Sequence, residues 1–317
     1  MSCSIAFGGV AAPSRLRATP ARARRPSRAS RVVVRAAASD DDADVKSGFT
    51  PAKALSFLCP LLKVFSGGDA AAPRNRVLEV ATSGFASISR LPFGTTVDPE
   101  CAARDPSSVP SGKIILYEFE ACPFCRRVRE ALTQLDLTVE VRPCPKDART
   151  HRAQVQTLGG KQSFPFLVDE NTGVSMYESE DIVRYLYDEY GAGAPVPEGI
   201  ISTTALTGWM PTLFRAGRGM TRYPTAVSFE GKEPLTLYNY EGNQFARLVR
   251  EALCELEVPY ALYNCGKGSP RRETLRGVAE GASVPYLEDP NTGVKMGESD
   301  AIVAYLFETY GGKTADA

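Results

Sequence analysis

The chain contains the same unit twice. Leu116-Tyr-Glu-Phe-Glu-Ala-Cys-Pro-Phe-Cys-Arg-Arg-Val-Arg-Glu-Ala-Leu132 returns 121 residues later as Leu237-Tyr-Asn-Tyr-Glu-Gly-Asn-Gln-Phe-Ala-Arg-Leu-Val-Arg-Glu-Ala-Leu253. Asp169-Glu-Asn-Thr-Gly-Val-Ser-Met-Tyr-Glu-Ser-Glu-Asp-Ile-Val-Arg-Tyr-Leu186 returns 120 residues later as Asp289-Pro-Asn-Thr-Gly-Val-Lys-Met-Gly-Glu-Ser-Asp-Ala-Ile-Val-Ala-Tyr-Leu306. The units span 113–191 and 234–311. At roughly 80 residues each they are too long for a solenoid repeat and suit two small complete domains. Any fold proposed for one unit must therefore serve both.

Within a unit the local signals follow one another clearly. Lys113 to Tyr117 is short and β-rich. After Cys-Pro-Phe-Cys, the residues Phe124, Val128, Ala131, Leu132 and Leu135 keep helical spacing. Thr138 to Arg142 reads as a second strand, followed by a polar stretch with room for a helix. Phe164 to Val168, the Asn171-Thr-Gly173 turn and Val174 to Tyr177 read as a hairpin. Ser179 is expected to cap a last helix that Gly191 ends. The expected order is βαβαββα.

Outside the units, 40–112 is an extension, 192–233 a linker and 312–317 a tail. Ala54-Leu-Ser-Phe-Leu-Cys-Pro-Leu-Leu-Lys-Val-Phe65 and Ala205-Leu-Thr-Gly-Trp-Met-Pro-Thr-Leu-Phe214 echo each other, and each reads as a short apolar helix packing on the adjacent domain. Docking on a membrane surface is the alternative. No apolar run approaches the ~18 residues of a membrane span.

The formal net charge of zero hides a split. Residues 1–39 hold eight arginines (15, 17, 22, 24, 25, 28, 31 and 35) and no acid, which leaves the remainder at −8. An acidic body is a poor ligand for phosphate backbones, so a nucleic-acid function is not expected. The Ser- and Ala-interleaved arm reads as an organelle transit peptide, with a plastid-type cleavage region at Arg31 to Ser39 ahead of Asp40. The expected location is the chloroplast, most simply its stroma, with the mitochondrion as the alternative address and a nucleic-acid tail as the bland one.

Eight cysteines in 317 residues do not make a disulfide scaffold. Cys3 belongs to the arm. Cys59, Cys101 and Cys254 read as small buried apolar residues, and Cys144 and Cys265 fall at matching places after each second strand. His151 is the sole histidine, so a histidine-based metal site or triad has little to work with.

Cys122 and Cys125 alone make a motif. A thiol reacts as thiolate, and the start of a helix, with free N–H groups and the positive end of the dipole, stabilises that anion. Pro123 fits the first helical position, and Arg126 and Arg127 are expected to add positive charge. Cys125, about one turn on, is placed to resolve a mixed disulfide on Cys122. The bland readings are two inert core cysteines or half of a zinc site.

On these motifs unit one resembles the glutaredoxin branch of the thioredoxin superfamily, and more closely the N-terminal, glutathione-binding domain of glutathione transferases. The whole chain is similar to plant and algal plastid proteins built from two tandem copies of that domain. The resemblance implies an α/β fold of two tandem thioredoxin-like domains, each with a four-stranded mixed sheet flanked by helices. It implies a cis peptide at Phe164-Pro165, whose backbone pairs with glutathione. It also implies a Glu178-Ser179 pair holding the γ-glutamyl end, with catalysis by Cys122 and Cys125. Unit two keeps the weaker set Val284, Pro285, Glu298 and Ser299, but Asn243, Gln244 and Ala246 replace Cys122, Pro123 and Cys125. Tyr238 and Tyr240 read as packing residues rather than thiol activators.

The expected function is glutathione-dependent thiol–disulfide exchange of glutaredoxin type on protein disulfides or glutathionylated proteins. Glutathione conjugation is disfavoured because the transferases' helical domain is missing from the sequence. The rivals are a non-catalytic glutathione-binding or scaffold protein and an isomerase or reductase like the membrane-associated prostaglandin synthase with Cys-Pro-Phe-Cys. The resemblance also admits an iron–sulfur cluster bridged by one cysteine and glutathione.

Overall fold

Duplicated sequence gives duplicated structure, and the two copies share one sheet. A computed structural model of the chain describes residues 33–35, 76–105, 112–278 and 283–312. Most of the arginine-rich arm, the Ala54 to Phe65 stretch, Cys3 and Cys59 lie outside the described residues. Strand β1 (Val33–Arg35) and helices α1 (Arg76–Ile88) and α2 (Pro99–Ala102) precede the first unit. That unit runs β2 (Ile114–Glu118), α3 (Pro123–Gln134), β3 (Thr138–Pro143), α4 (His151–Gly159), β4 (Phe166–Asp169), β5 (Val174–Met176), α5 (Ser179–Tyr190). Short helices α6 (Glu198–Ser202), α7 (Thr204–Thr207) and α8 (Met210–Phe214) follow. The second unit runs β6 (Leu235–Asn239), α9 (Gln244–Glu255), β7 (Tyr260–Asn264), α10 (Arg271–Val278), β8 (Tyr286–Asp289), β9 (Val294–Gly297), α11 (Ser299–Tyr310). Both units show the expected βαβαββα order.

The sheet runs β1-β5-β4-β2-β3-β7-β6-β8-β9. In each unit the first two strands are parallel and the hairpin is antiparallel. Each unit contributes the expected four-stranded mixed sheet, and the two join edge to edge where β3 and β7 pair antiparallel, Thr138 opposite Tyr263 and Val141 opposite Tyr260. The physical reason is that each is the edge strand of its own unit, and an edge leaves unpaired N–H and C=O groups that a like edge satisfies.

One face of the sheet buries a continuous apolar core with Val128, Leu132, Val183 and Leu186 from unit one and Val249, Leu253, Ile302 and Leu306 from unit two. The opposite face carries two smaller clusters. Val155 of α4 packs on Tyr117 and Phe166, and Leu275 of α10 packs on Tyr238 and Tyr286. The hairpin base is fixed identically twice: Asp169 accepts from the Tyr185 hydroxyl and Asp289 from that of Tyr305, each at 2.6 Å.

Where α3 and α9 face each other the seam is ionic and dry. Glu120 accepts from Arg250 Nε at 3.1 Å, and Glu241 accepts from Arg129 Nε at 2.9 Å. Glu120 and Arg129 are the counterparts of Glu241 and Arg250 in the repeat, so the contact is reciprocal, as across a two-fold axis. Beside it the same contact occurs once per unit, Arg90 with Glu130 and Arg215 with Glu251, each arginine coming from the segment that precedes that unit. All eight side chains are buried.

Candidate functional site

Cys122 is the N-cap of α3, with extended backbone (φ −77°, ψ 121°) and Pro123 in the first turn. This is where a helix start leaves N–H groups unpaired. The Cys122 sulfur takes one of them, accepting from the Cys125 N–H at 3.3 Å. Burial alone would raise the thiol, but hydrogen bonds from the Cys125 thiol and from the N–H groups of Cys125 and Phe124 outweigh it. Cys122 therefore lies below the ordinary thiol range. Cys125 moves the other way, well above that range, through burial and its bond to Cys122. The two thiols are thus split into a nucleophile and a reserve, which is the division thiol–disulfide exchange needs.

The arginines that follow do not act as expected. Arg126 is bound to Glu130 at 3.1 Å and to the Ala86 carbonyl at 3.1 Å. Arg127 donates to Thr204, Ser179 and the Ile201 carbonyl. Both guanidinium groups are taken by these partners, so hydrogen bonds at the helix start rather than guanidinium charge hold the thiolate.

The peptide bonds Phe164-Pro165 and Val284-Pro285 are both cis. Pro165 is buried and Phe164 half-buried, with its ring edge-on to Phe119 and under Arg152. Ser179 is not the cap of α5. The helix begins at Ser179, and the preceding Glu178 takes the cap position with φ +65°, as does Glu298 before Ser299. The left-handed backbone turns the carboxylates of Glu178 and Glu298 outward, where both are exposed, while Ser179 and Ser299 are buried. Ser179 Oγ accepts from Arg127 Nη1 at 3.1 Å, which ties the start of α5 to that of α3. In unit two Asn243 holds the cap position and its Nδ2 donates to the Val284 carbonyl at 3.3 Å, so that side chain is already bonded to the cis-proline loop. Tyr238 is packed against Tyr263 and Tyr286, and its hydroxyl is raised by burial.

The connection between the units, which the sequence did not tie to the site, lies over the Cys-Pro-Phe-Cys turn. Thr212 Oγ1 donates to the Ala121 carbonyl at 2.6 Å. Trp209 stands edge-on to Phe124 at 6.3 Å. A Cβ added at Gly208 would come within 3.1 Å of the Pro123 Cβ, so glycine lets the linker lie directly on the motif. Cys122 is 5% exposed, and the cavity beside it measures only about 10 Å³. The second unit is treated alike: Ser83 of α1 donates to the Gln244 carbonyl at 2.6 Å, and Gly84 faces the Gln244 side chain. There about 250 Å³ remains open, lined by Tyr240, Asn243 and Phe245.

The other described cysteines are buried and free. Burial pushes Cys101 up to about 11 and Cys265 up to about 12, and Cys144 and Cys254 well above the usual thiol range. Among the described residues no group of three or more His, Cys, Asp or Glu is placed to hold a metal ion, and no helix is long and apolar enough to cross a membrane.

The family model for the glutathione S-transferase N-terminal domain matches the chain twice, over 116–195 and 237–314. No curated protein and no solved structure matches it. The matches coincide with the two structural repeats, with their cis-prolines and with their Glu-Ser helix starts. Such domains bind glutathione in general and point to glutathione-related chemistry. The chain is a tandem glutathione S-transferase N-terminal-domain protein, its two thioredoxin-like domains fused through one sheet.

Proposed function

We propose that the protein is a glutathione-dependent thiol–disulfide oxidoreductase of glutaredoxin type working through Cys122. The observation that carries this reading is the Cys122 sulfur at the start of α3, hydrogen-bonded to the Cys125 N–H and lowered, beside a second thiol that is raised. The Cys122 thiolate attacks the glutathionyl sulfur of a mixed disulfide, and the target protein leaves as its thiolate. The Cys122–glutathione disulfide is then opened in one of two ways. A glutathione thiolate attacks it and releases glutathione disulfide, or Cys125 attacks Cys122 and expels glutathione, leaving a Cys122–Cys125 disulfide for a second thiol to reduce. Phe164 and Pro165 flank the peptide part of glutathione. The first N–H groups of α5, with Ser179, receive its γ-glutamyl carboxylate, and Glu178 takes the ammonium. The leader belongs to the same proposal and directs the protein to the chloroplast.

A mixed disulfide does not fit into about 10 Å³, so the α7–α8 connection must move for the reaction to start. Thr212→Ala removes the 2.6 Å bond that pins the connection to Ala121. It is expected to raise the iodoacetamide alkylation rate of Cys122 several-fold without changing the pH at which the rate levels off. An unchanged rate would show that the connection is not the barrier. The same closure supports a second reading, a glutathione-binding or scaffold protein whose thiol stays covered; it predicts glutathione binding with no turnover by wild type or Thr212→Ala.

A further inference from the structure

A cavity of about 700 Å³ lies on the sheet face that carries α4, among residues the proposed exchange does not use. Along β3, Val139 and Val141 point into the apolar core, so Glu140 and Arg142 point to the opposite face and line this cavity. The start of α4 walls one side, and residues 227–232 and the turn at Glu257 wall the other. Both domains and their connection contribute to it.

The charges around it do not balance. Glu140 is taken by Lys113 and Arg142, each at 2.8 Å. Glu257 accepts the N–H groups of Arg149, Thr150 and His151 at 2.9, 2.7 and 3.1 Å and Arg222 Nε at 3.1 Å. His151 donates Nδ1–H to the Pro143 carbonyl and is lowered by burial, so it adds no cation. Two exposed cations remain. The Arg149 guanidinium has no partner among the described residues. The Lys232 ammonium has only the Ser228 carbonyl at 3.3 Å and the faces of Phe229 and Tyr310. Five cations thus meet three carboxylates, counting exposed Glu230, and the volume is that of a small-molecule site.

The geometry points to a binding site for a small polyanion, a molecule with two or more phosphoryl or carboxylate charges held between Arg149 and Lys232. Calorimetric titration of the full chain with pyrophosphate, and separately with citrate, at constant ionic strength tests this. At least one probe is expected to bind saturably at one site per chain. That binding should weaken at least tenfold in Arg149→Ala/Lys232→Ala and stay unchanged in Cys122→Ser. Lys161→Ala, the loss of one cation at an exposed residue against Tyr177, should also leave it unchanged. Both variant positions in the double mutant are exposed, so the fold is retained. Binding of pyrophosphate alone identifies a phosphoryl occupant and of citrate alone a polycarboxylate. No saturable binding of either probe, or binding that survives the double variant or falls equally in Lys161→Ala, overturns the proposal.

Discussion

Cys122→Ser is expected to lower glutathione-dependent reduction of a protein–glutathione mixed disulfide at least about a hundredfold, because the attacking thiolate is gone. Cys125→Ser is expected to keep this one-thiol reaction within a few-fold while losing reduction of an intramolecular disulfide. The choice of serine matters. Cys122 is held down by the N–H groups of Cys125 and Phe124 and by the Cys125 side chain. Serine keeps a donor there, whereas Cys125→Ala removes one and should shift the onset of activity to higher pH. Coupled assays on the three variants across pH 5 to 9 separate these outcomes. Equal loss in Cys122→Ser and Cys125→Ser would mean that the site needs both thiols at every step.

The second large effect is on stability. Glu120 accepts from Arg250 Nε and Nη2 at 3.1 Å and lies 3.3 Å from Arg247, all buried at the domain seam. Glu120→Ala leaves Arg247 and Arg250 buried with Glu241 as the one carboxylate they share. The expected cost is about 3–5 kcal/mol, a large part of the ~5–15 kcal/mol that holds a domain of ordinary stability. Urea unfolding should show a lower midpoint, whereas Arg184→Ala, at an exposed pair with Glu180, should leave the midpoint unchanged.

The pH dependence has a definite sign on each side. Burial opposes the charge of Glu241, but Arg129, Arg250, Arg126 and Arg247 overcome it and hold the carboxyl far below its ordinary 4.5. Its contribution is present above that value and lost as pH falls below it. Glu118 is pushed up to about 7, by burial first and then by Glu120 and Glu241, against the pull of Arg129. Its contribution is complete below about 4.5 and lost as pH rises through about 7. The urea midpoint should therefore be highest near pH 4.5 and fall toward pH 7, and a midpoint still rising past pH 8 would contradict the reading of the seam.

Much of this was legible in the sequence, because local chemistry repeated at fixed spacing. The duplicated segments, the Gly- and Asn-containing turns and the apolar spacing of α3 gave the element order. Cys122 before Pro123 gave the helix start. What escaped depended on distance or on small residues. The β3–β7 pairing joins residues some 120 positions apart, and nothing local marks an edge strand as sharing its edge with a copy of itself. Helix α1 was missed because its pattern is inverted. Ser83, Gly84 and Ser87 are buried, while Val77, Leu78, Phe85 and Ile88 are exposed, so apolar periodicity misreads which side faces in. The charge expected of Arg126 and Arg127 is taken up by Glu130, Thr204 and Ser179, partners that adjacency in sequence does not reveal. The cover over Cys122 rests on Gly208, whose role is the absence of a side chain.

The most direct test of the central claim is the site of glutathionylation in Cys125→Ser. The protein is incubated with glutathione disulfide at pH 7 and mapped by mass spectrometry. Cys101, Cys144, Cys254 and Cys265 serve as internal controls, since burial holds their thiols above the usual range. One glutathionyl group is expected on Cys122, formed faster than on any of these four and released by added glutathione. Absence of an adduct on Cys122, or modification no faster there than at the buried controls, would contradict an activated exchange thiol at the start of α3.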